Sequence, residues 1–373
     1  MGPLQGVKVV ELAGIGPGPF ACMMLAELGA EVLRIDRPGG GPSLGPAELD
    51  LVNRGRRSAA LDLKHPAAID VVRRLAAQAD VLVEGFRPGV AERLGLGPDD
   101  LQAINPKLVY GRMTGWGQDG PLAQTAGHDI DYIALSGALH LIGRAGGPPQ
   151  VPANLLGDFA GGSLYLVVGV LAALHEAQRS GRGQIVDAAV VDGSAHLTTM
   201  MLGALAAGTW TQERGTNLLD TGAPFYDVYE TADGKHVAVG ALEQPFYDEL
   251  IAKLGITAPD RGDLANWPEL RKVLTETFLQ RTQAEWMDVF DGTDACVAPV
   301  LPLAGEHPHL VARGTFVDKD GVRQAAPAPR FSRTPTSLGR SPARAGEHTR
   351  EALADWGISD IDALLNSGAA VQN

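Results

Sequence analysis

Three short segments of the sequence carry side chains that could move protons. His128 lies in AGHDIDYIALSGALH, Asp158 in NLLGDFAGGS and Glu243 in VGALEQPFY. Imidazole and carboxylate groups serve as general acids and bases, so these three residues are candidates for acid–base catalysis. Each also has an ordinary structural alternative, because a lone histidine often packs or caps a helix and Glu243 could be a surface carboxylate.

The residues around Asp158 predict a helix that begins just after it and continues to about residue 179. In that position Asp158 could cap the helix by accepting a bond from a backbone N–H. The glycines at 157, 161 and 162 would let a ligand approach the backbone closely. A helix N-terminus also favours developing negative charge, so a capping role is compatible with catalysis.

The segment AGIGPGPF, residues 13–20, follows the apolar run VKVVEL at the place of a dinucleotide-binding fingerprint. If Gly14 and Gly16 begin the fingerprint, its third glycine should stand at 19, where the sequence has Pro19. Pro17 and Pro19 also remove two backbone N–H donors from the turn. The segment therefore favours a tight strand-to-helix turn over a nicotinamide or flavin dinucleotide site.

Basic residues concentrate in the first hundred residues, close to the ends of predicted strands. Taken alone, such charges usually form a solvated face. Their place at strand ends, in a protein of net charge −13, instead favours a ligand with several phosphates, which arginine can bind in bidentate fashion. The residues are Arg34, Arg37, Arg54, Arg56, Arg57, Lys64, Arg87 and Arg93.

Composition limits the kind of protein that this can be. A length of 373 residues predicts more than one domain, and the acidic balance argues against a nucleic-acid or anionic-membrane partner. Cys22 and Cys296 lie far apart without a Cys/His cluster, so we expect neither a disulfide framework nor a metal site. The N-terminus lacks the features of a signal peptide, and the apolar segment 159–174 is short for a bilayer. We expect a buried helix there, no membrane insertion and a cytoplasmic location.

The order of elements predicts an α/β fold. Strand and helix patterns alternate from residue 7 to 83, which indicates a parallel sheet, and a further strand is predicted at 107–113. We predict a large domain over 1–207, a linker at 208–223 and a small α/β domain at 224–302 that begins with a hairpin at Asp233-Gly234. The last segment, 303–373, contains a stretch rich in Pro, Ala, Arg and Ser at 324–345 that favours an extended arm.

Several segments together resemble the family III CoA-transferases, and within that family the racemases of the bacterial type. They follow the family's order from residue 4 to at least 333. The segments are VVELAGIGPGPF, EVLRIDRP, NRGRRSAALDLK, EGFRPGVAERLGLGP, RMTGWGQDGP, GHDIDYIALSGALH, NLLGDFAGGS, GQIVDAAVVDGS and VGALEQPFY. The resemblance implies an interlocked homodimer whose chains each have a large Rossmann-like CoA-binding domain and a small domain, with active sites built from both subunits. It also implies that residues 303–373 return as an arm and complete the large domain.

The resemblance also implies a reaction. In the family's racemases, residues matching His128 and Asp158 are proton carriers, and a glutamate matching Glu243 pairs with the histidine. We therefore expect interconversion of R and S 2-methylacyl-CoA thioesters by 1,1-proton transfer through an enolate, with no cofactor beyond the CoA of the substrate. His128 would take the proton of the S epimer and Asp158 that of the R epimer, while backbone N–H groups at the start of the 159–178 helix would stabilise the enolate.

A second activity of the same family stays open. In its CoA transferases the residue matching Asp158 is a nucleophile that forms an acyl anhydride and then a CoA thioester. The presence of all three residues, His128, Asp158 and Glu243, favours the racemase.

For the substrate, the resemblance implies a set of contact residues. Arg37, Ala60, Leu61, Asp62, Leu63, Glu84, Gly85, Phe86 and Arg93 would lie along the adenosine diphosphate part of CoA. Gly127, Asp129, Ile130, Asp131 and Tyr132 would lie along the thioester. TMMLGALAAG at 199–208 is a candidate acyl-binding surface, with core packing as its alternative.

Overall fold

Strands and helices alternate along most of the chain in the computed structural model, which describes residues 2–43 and 45–373. The strands in these residues are β1 (Lys8–Leu12), β2 (Glu31–Asp36), β3 (Arg57–Leu61), β4 (Val81–Glu84), β5 (Val109–Thr114), β6 (Ile185–Ala189), β7 (Tyr226–Glu230), β8 (His236–Gly240), β9 (Val297–Pro299), β10 (Phe316–Lys319), β11 (Val322–Ala325) and β12 (Ala370–Val371).

The helices complete this description. They are α1 (Pro17–Glu27), α2 (Pro66–Ala76), α3 (Val90–Arg93), α4 (Pro98–Ile104), α5 (Asp129–Leu135), α6 (Leu164–Ser180), α7 (Val190–Leu197), α8 (Thr199–Ala206), α9 (Gln244–Leu254), α10 (Trp267–Phe278), α11 (Gln283–Phe290), α12 (Pro308–Arg313), α13 (Thr349–Asp355) and α14 (Ile361–Asn366). A π-helix spans Leu155–Ser163, and short 3₁₀ helices span Ala47–Leu49, Leu51–Asn53, Leu139–Leu141 and Leu264–Asn266.

The largest sheet has seven strands in the order β12-β3-β2-β1-β4-β5-β6. Strands β1 to β6 are parallel, and β12 pairs antiparallel with β3 at the edge. The order 3-2-1-4-5-6 is that of a doubly wound Rossmann sheet. In such a sheet the connections leave β1 and β4 toward opposite sides, which opens a crevice at the carboxyl ends of these two strands. The predicted α/β class with a Rossmann-like parallel sheet is confirmed.

Both faces of this sheet are covered by helices. Val10 belongs to a buried cluster with Val71 of α2 and Trp356 after α13, whereas its neighbour Val9 belongs to a second cluster with Leu166 of α6. Alternate strand residues point to opposite faces, so one apolar run supplies both cores. This explains why the strands are continuous apolar runs in the sequence.

The chain divides into two compact units, each described by itself. Unit 1 comprises the chain up to Ser136, Ala153–Leu197 and Pro308–Asn373, and unit 2 comprises Gly137–Pro152 and Thr198–His307. The domain boundaries predicted at 207, 223 and 302 stay a prediction.

Unit 2 contains the antiparallel sheet β7-β8-β9 and its own apolar core. The predicted hairpin is confirmed, because β7 and β8 pair on either side of Asp233-Gly234 and Gly234 has a φ of +71°. A capping box begins α11, since the Thr282 N–H donates to Glu285 Oε2 at 2.8 Å and the Glu285 N–H donates to Thr282 Oγ1 at 3.3 Å.

One helical stretch in the described residues, Leu155–Ser180, is long and apolar enough to cross a bilayer by length and composition alone. Its residues Leu166 and Val170 are buried in the core of unit 1. On the other side Val168 is 65% exposed, so the helix predicted here is buried on one face only. A core helix meets the same criterion of length and composition, so this is weak evidence for a membrane span.

A buried ion pair joins Glu11, near the carboxyl end of β1, to Arg56, the residue before β3. Arg56 Nη1 lies 2.6 Å from Glu11 Oε2, and both side chains are almost completely inaccessible to solvent. Burial raises the pKa of Glu11 despite the attraction of Arg56. Removing one partner of such a pair leaves an uncompensated buried charge.

We therefore expect Arg56→Met to lower the free energy of unfolding by about 3–5 kcal/mol at neutral pH. The matched control is Arg74→Met, because Arg74 and Asp360 are also 2.6 Å apart but both partly exposed, and an exposed pair contributes at most about 1 kcal/mol. Chemical denaturation measures both. Equal losses in the two variants would contradict the role given to burial.

Candidate active site at the carboxyl ends of the sheet

The residues predicted to bind CoA lie where parallel strands end. Arg37 directly follows β2, Ala60 and Leu61 end β3, and Glu84 ends β4. Since these strands are parallel, their carboxyl ends share one edge of the sheet, and the structure brings this predicted set to that edge. The set also includes Asp62, Leu63, Gly85 and Phe86, which follow the strand ends, and Arg93, the last residue of α3.

Not all of these residues offer a side chain to a ligand. Ala60 and Leu61 are fully buried: Leu61 lies in the core cluster with residues of α2 and α13, and β12 pairs with the backbone of both residues. Glu84 is also buried, and its pKa is raised by burial. Its oxygens accept bonds from the Phe86 N–H at 2.7 Å and from Arg112 Nε at 3.0 Å. Glu84 therefore shapes the Gly85-Phe86 turn, while Gly85 is exposed.

The basic residues separate into two groups. One group is paired with carboxylates: Arg34 with Asp36, Arg54 with Glu27, Arg56 with Glu11, and Arg57 with Glu31 and Asp355. In the other group no ion pair with a described carboxylate is formed, and all four side chains are exposed; it consists of Arg37, Lys64, Arg87 and Arg93. The cations of the second group are therefore the ones available to bind an anionic ligand.

His128 directly precedes α5, as its N-cap, and is exposed. Its backbone N–H donates to Asp131 Oδ2 at 2.9 Å, so Asp131 caps the helix start and fixes the local backbone. Ile130 is exposed on the same helix. Asp129, the first residue of α5, is buried.

Asp158 lies inside the π-helix, in its first turn. The prediction that it precedes the helix as its cap is wrong, because the helix begins at Leu155. The N–H groups that follow Asp158 therefore lie in the body of the helix. They are not the free N–H groups of a helix start, on which their predicted role in binding the enolate depended. A π-helix is rare and is often found at functional sites.

A hydrogen bond links Asp158 to the residue next to His128. The Asp158 N–H donates to Asp129 Oδ2 at 2.7 Å, and Asp129 is the neighbour of His128 in the chain. N–H groups in the first turn of a helix have no partner within it, so the Asp129 carboxylate supplies one from α5. The approach requires Gly157, since a Cβ there would lie 2.4 Å from Asp129 Oδ2.

The environment raises the pKa of Asp158. Burial is the largest cause, and the negative charge of Asp129 adds to it. A hydrogen bond from Asn154 Nδ2 to Asp158 Oδ2, 3.2 Å long, and the charge of His128 act in the opposite direction. The geometric link between the two predicted residues is the bond from the Asp158 N–H to Asp129, which follows His128 in the chain, so the structure brings the segments that carry this pair together.

The turn at residues 13–20 borders Asp158. Gly16 has a φ of +67°, and a Cβ at this position would lie 3.2 Å from Asp158 Oδ2. Phe20 of α1 stacks on Phe159 with ring centroids 4.6 Å apart. The turn therefore packs against the catalytic candidate, as a tight strand-to-helix turn can when it lacks a side chain at the point of contact.

Tyr132 holds the segment before α5. Its hydroxyl donates to the Gly127 carbonyl, and its ring meets Trp116 edge to face at 4.7 Å. Gly115 makes room for that ring, because a Cβ there would clash with it. Burial, with the charges of Asp158 and Asp131, raises the pKa of Tyr132 to about 12, so the hydroxyl stays a neutral donor.

Glu243 belongs to unit 2, where it is exposed and precedes α9. Its pairing with His128 stays a prediction. The segment 199–208 also lies in unit 2, and none of the residues of α8 is buried. The core-packing alternative for α8 is therefore wrong for the described chain.

One residue and one contact of this site were not predicted from the sequence. Asn154 was not singled out, although a side-chain amide four residues before a candidate aspartate stands about one helical turn away. The contact of Gly16 with Asp158 could not be found from the sequence, because it joins segments far apart in the chain. Across the described residues, no three His, Cys, Asp or Glu side chains are grouped as metal ligands would be.

The model of CoA-transferase family III matches residues 4–349 of this sequence. The chain belongs to CoA-transferase family III. It is similar to the alpha-methylacyl-CoA racemase of Mus musculus, with 48% identity over 99% of this chain and 98% of that protein. Its identity to the alpha-methylacyl-CoA racemase of Homo sapiens is 46%, with the same coverage of both chains.

Solved structures agree on the fold. A CAIB/BAIF family protein from Brucella suis has a TM-score of 0.83 to this chain at 28% identity, covering 95% of this chain and 99% of that one. The predicted family and its fold are therefore confirmed.

The two neighbours of Asp158 lead to opposite predictions for its titration. Asn154→Ala removes a donor to the ionised carboxylate and should raise the pKa of Asp158. Asp129→Asn removes a nearby negative charge and should lower it. Carboxyl-carbon NMR of aspartate-labelled protein, with Asp158→Asn to assign the resonance, measures both. Shifts in the same direction would contradict this account of the site.

Proposed function

We propose that this protein interconverts the R and S epimers of 2-methylacyl-CoA thioesters. One observation carries the proposal: an aspartate with a raised pKa, Asp158, is bonded to the residue next to His128, in a chain nearly half identical to two proteins named alpha-methylacyl-CoA racemase. Inversion at the carbon next to a thioester needs one acid–base group on each face of that carbon.

His128 and Asp158 are the proposed pair. One removes the C2 proton to give an enolate, and the other delivers a proton to the opposite face. We assign the S epimer to His128 as base and the R epimer to Asp158. Because the pKa of Asp158 is raised, its protonated form is a more abundant donor at neutral pH than an ordinary aspartic acid would be.

The enolate also needs stabilisation beyond proton transfer. The π-helix and α6 form one continuous helical stretch of 26 residues, and Asp158 lies near its N-terminal end. The positive end of the helix dipole favours developing negative charge there. We assign part of the enolate stabilisation to this helix end.

The CoA phosphates are proposed to meet the exposed cations that no described carboxylate neutralises. Arg37 and Arg93 belong to the set that the resemblance implies, and Arg87 and Lys64 lie on the same edge. Asp62, Leu63, Gly85 and Phe86 would contact the adenosine diphosphate part, and the segment 127–132 the thioester. The protein's overall charge of −13 makes such a local positive group the natural place for a polyphosphate ligand.

Several features of this proposal rest on the resemblance alone. They are the interlocked homodimer, the pairing of Glu243 with His128, and the absence of a cofactor beyond the CoA of the substrate; a cytoplasmic location rests on composition alone. They stay predictions, as does an acyl-binding surface at 199–208.

Incubation of one epimer of a 2-methylacyl-CoA in heavy water tests the reaction. We expect racemisation with deuterium at C2, and Asp158→Ala should lower its rate by about 10²–10⁴-fold. Asp70→Ala, at an exposed aspartate of α2, is the control and should be unchanged. Transfer of CoA to a free acid without exchange at C2 would instead support the transferase, in which Asp158 is a nucleophile.

A binding measurement tests the placement of CoA. Arg37→Ala should weaken the affinity for an acyl-CoA by roughly 10- to 100-fold, the range expected for loss of a hydrogen bond to a charged group. Arg179→Ala, at an exposed arginine in the last turn of α6, should leave the affinity unchanged. Isothermal titration measures both, and an unaltered affinity of the Arg37 variant would remove this residue from the site.

A further inference from the structure

Ser163 ends the π-helix that carries Asp158 and is completely buried. Its Oγ lies 2.8 Å from the Pro17 carbonyl oxygen and 2.9 Å from the Asp158 carbonyl oxygen. A serine hydroxyl has one proton to donate, so the two carbonyls share it. This single group therefore ties the backbone of Asp158 to the turn at residues 13–20.

That connection matters because a π-helix is not the default conformation of the chain. Its hydrogen bonds span five residues instead of four, and relaxation to an α-helix would rotate the side chains relative to their surroundings. Asp158 and Ser163 are five residues apart, so the hydroxyl contacts the carbonyl that the π-helical register brings beneath it. Gly16 faces the Asp158 carboxylate from the same turn, which leaves little space for a shifted position.

We propose that Ser163 is a positioning residue for the proton transfer by Asp158. Its hydroxyl holds the π-helical register in which the Asp158 carboxylate lies against Gly16. The inference rests on the proposed racemase function. Ser163 itself does not touch the substrate, because it is completely enclosed by protein.

His128 is held by a different set of contacts. Its backbone is fixed by Asp131 at the start of α5, without involvement of Ser163. Asp158 is also bonded to Asp129, the residue after His128, so loss of the Ser163 hydroxyl should disturb Asp158 directly and His128 only to a smaller extent through that bond. In a two-base racemase this difference has a distinctive isotopic result. A proton removed by His128 can be replaced by a solvent deuteron on the same face when Asp158 cannot complete the inversion.

The experiment compares Ser163→Ala with Ser194→Ala. Ser194 is the matched control, because it is also completely buried and packs against the same π-helix at Gly161, while its hydroxyl has no hydrogen-bond partner in the described residues. Both variants and the wild type are incubated in heavy water with each epimer of a 2-methylacyl-CoA. Deuterium at C2 and the configuration at C2 are measured over time.

For Ser163→Ala we expect kcat for inversion to fall by about 10-fold or more, with KM changed by less than about 2-fold. The epimer whose proton His128 removes should exchange without inversion several times more often than in the wild type. Ser194→Ala should match the wild type. Equal losses of exchange and inversion in Ser163→Ala, or the same behaviour in Ser194→Ala, would overturn the inference.

A second variant guards against misfolding. Ser163→Cys keeps the volume and a weaker donor, so its ratio of exchange to inversion should lie between those of the wild type and Ser163→Ala. A wild-type ratio in a folded Ser163→Cys protein together with an unfolded Ser163→Ala protein would count against the inference. Failure of the wild type to racemise would overturn the proposed function itself, whereas a racemising wild type with an unchanged ratio in Ser163→Ala overturns only the role of Ser163.

Discussion

The hydrogen bond between the Asp158 N–H and the Asp129 carboxylate is the contact on which the site depends. It joins the start of α5, and with it His128, to the first turn of the π-helix. It also places two carboxyl groups close together, which helps to raise the pKa of Asp158. One contact thus connects the segments that carry the two candidate acid–base groups and contributes to the raised pKa of one of them.

The absence of side chains makes this contact possible. Gly157 admits the Asp129 carboxylate, and Gly161 admits Ser194 of α7. An alanine at either position would place its Cβ less than 3.0 Å from a neighbouring atom. The small residues of NLLGDFAGGS are therefore packing requirements of the π-helix, and the catalytic candidate occupies a segment that cannot easily adjust its position.

Much of the architecture could be predicted from local patterns. Apolar runs alternating with helical periodicity indicate a parallel sheet, and a turn such as Asp233-Gly234 indicates a hairpin, because both depend on residues close in sequence. The partial burial of the Leu155–Ser180 helix could not be predicted in this way, since its exposed Val168 is as apolar as its buried Val170. Which of the two valines is buried depends on the other segments of the chain that pack against the helix.

The site was less accessible to sequence reasoning. His128 and Asp158 could be proposed from residue type and resemblance, but the helix start at Leu155 could not, because local glycines gave no indication of a π-helical register. The separation of paired from unpaired arginines likewise depends on partners such as Glu27 and Asp355, which lie far from them in sequence. Which arginines form ion pairs therefore becomes visible only in the structure.

The pairing of β12 with β3 has a consequence for biosynthesis. The edge of β3 beside Ala60 and Leu61 is covered by residues 370–371, which leave the ribosome long after β3 does. Until then the edge carries unpaired backbone groups, a common route to intermolecular strand pairing. Until β12 is made, nascent chains should therefore stay soluble only if chaperones cover this edge or if intermolecular pairing is slow. A truncation before β12 should impair solubility more than the loss of its two residues suggests.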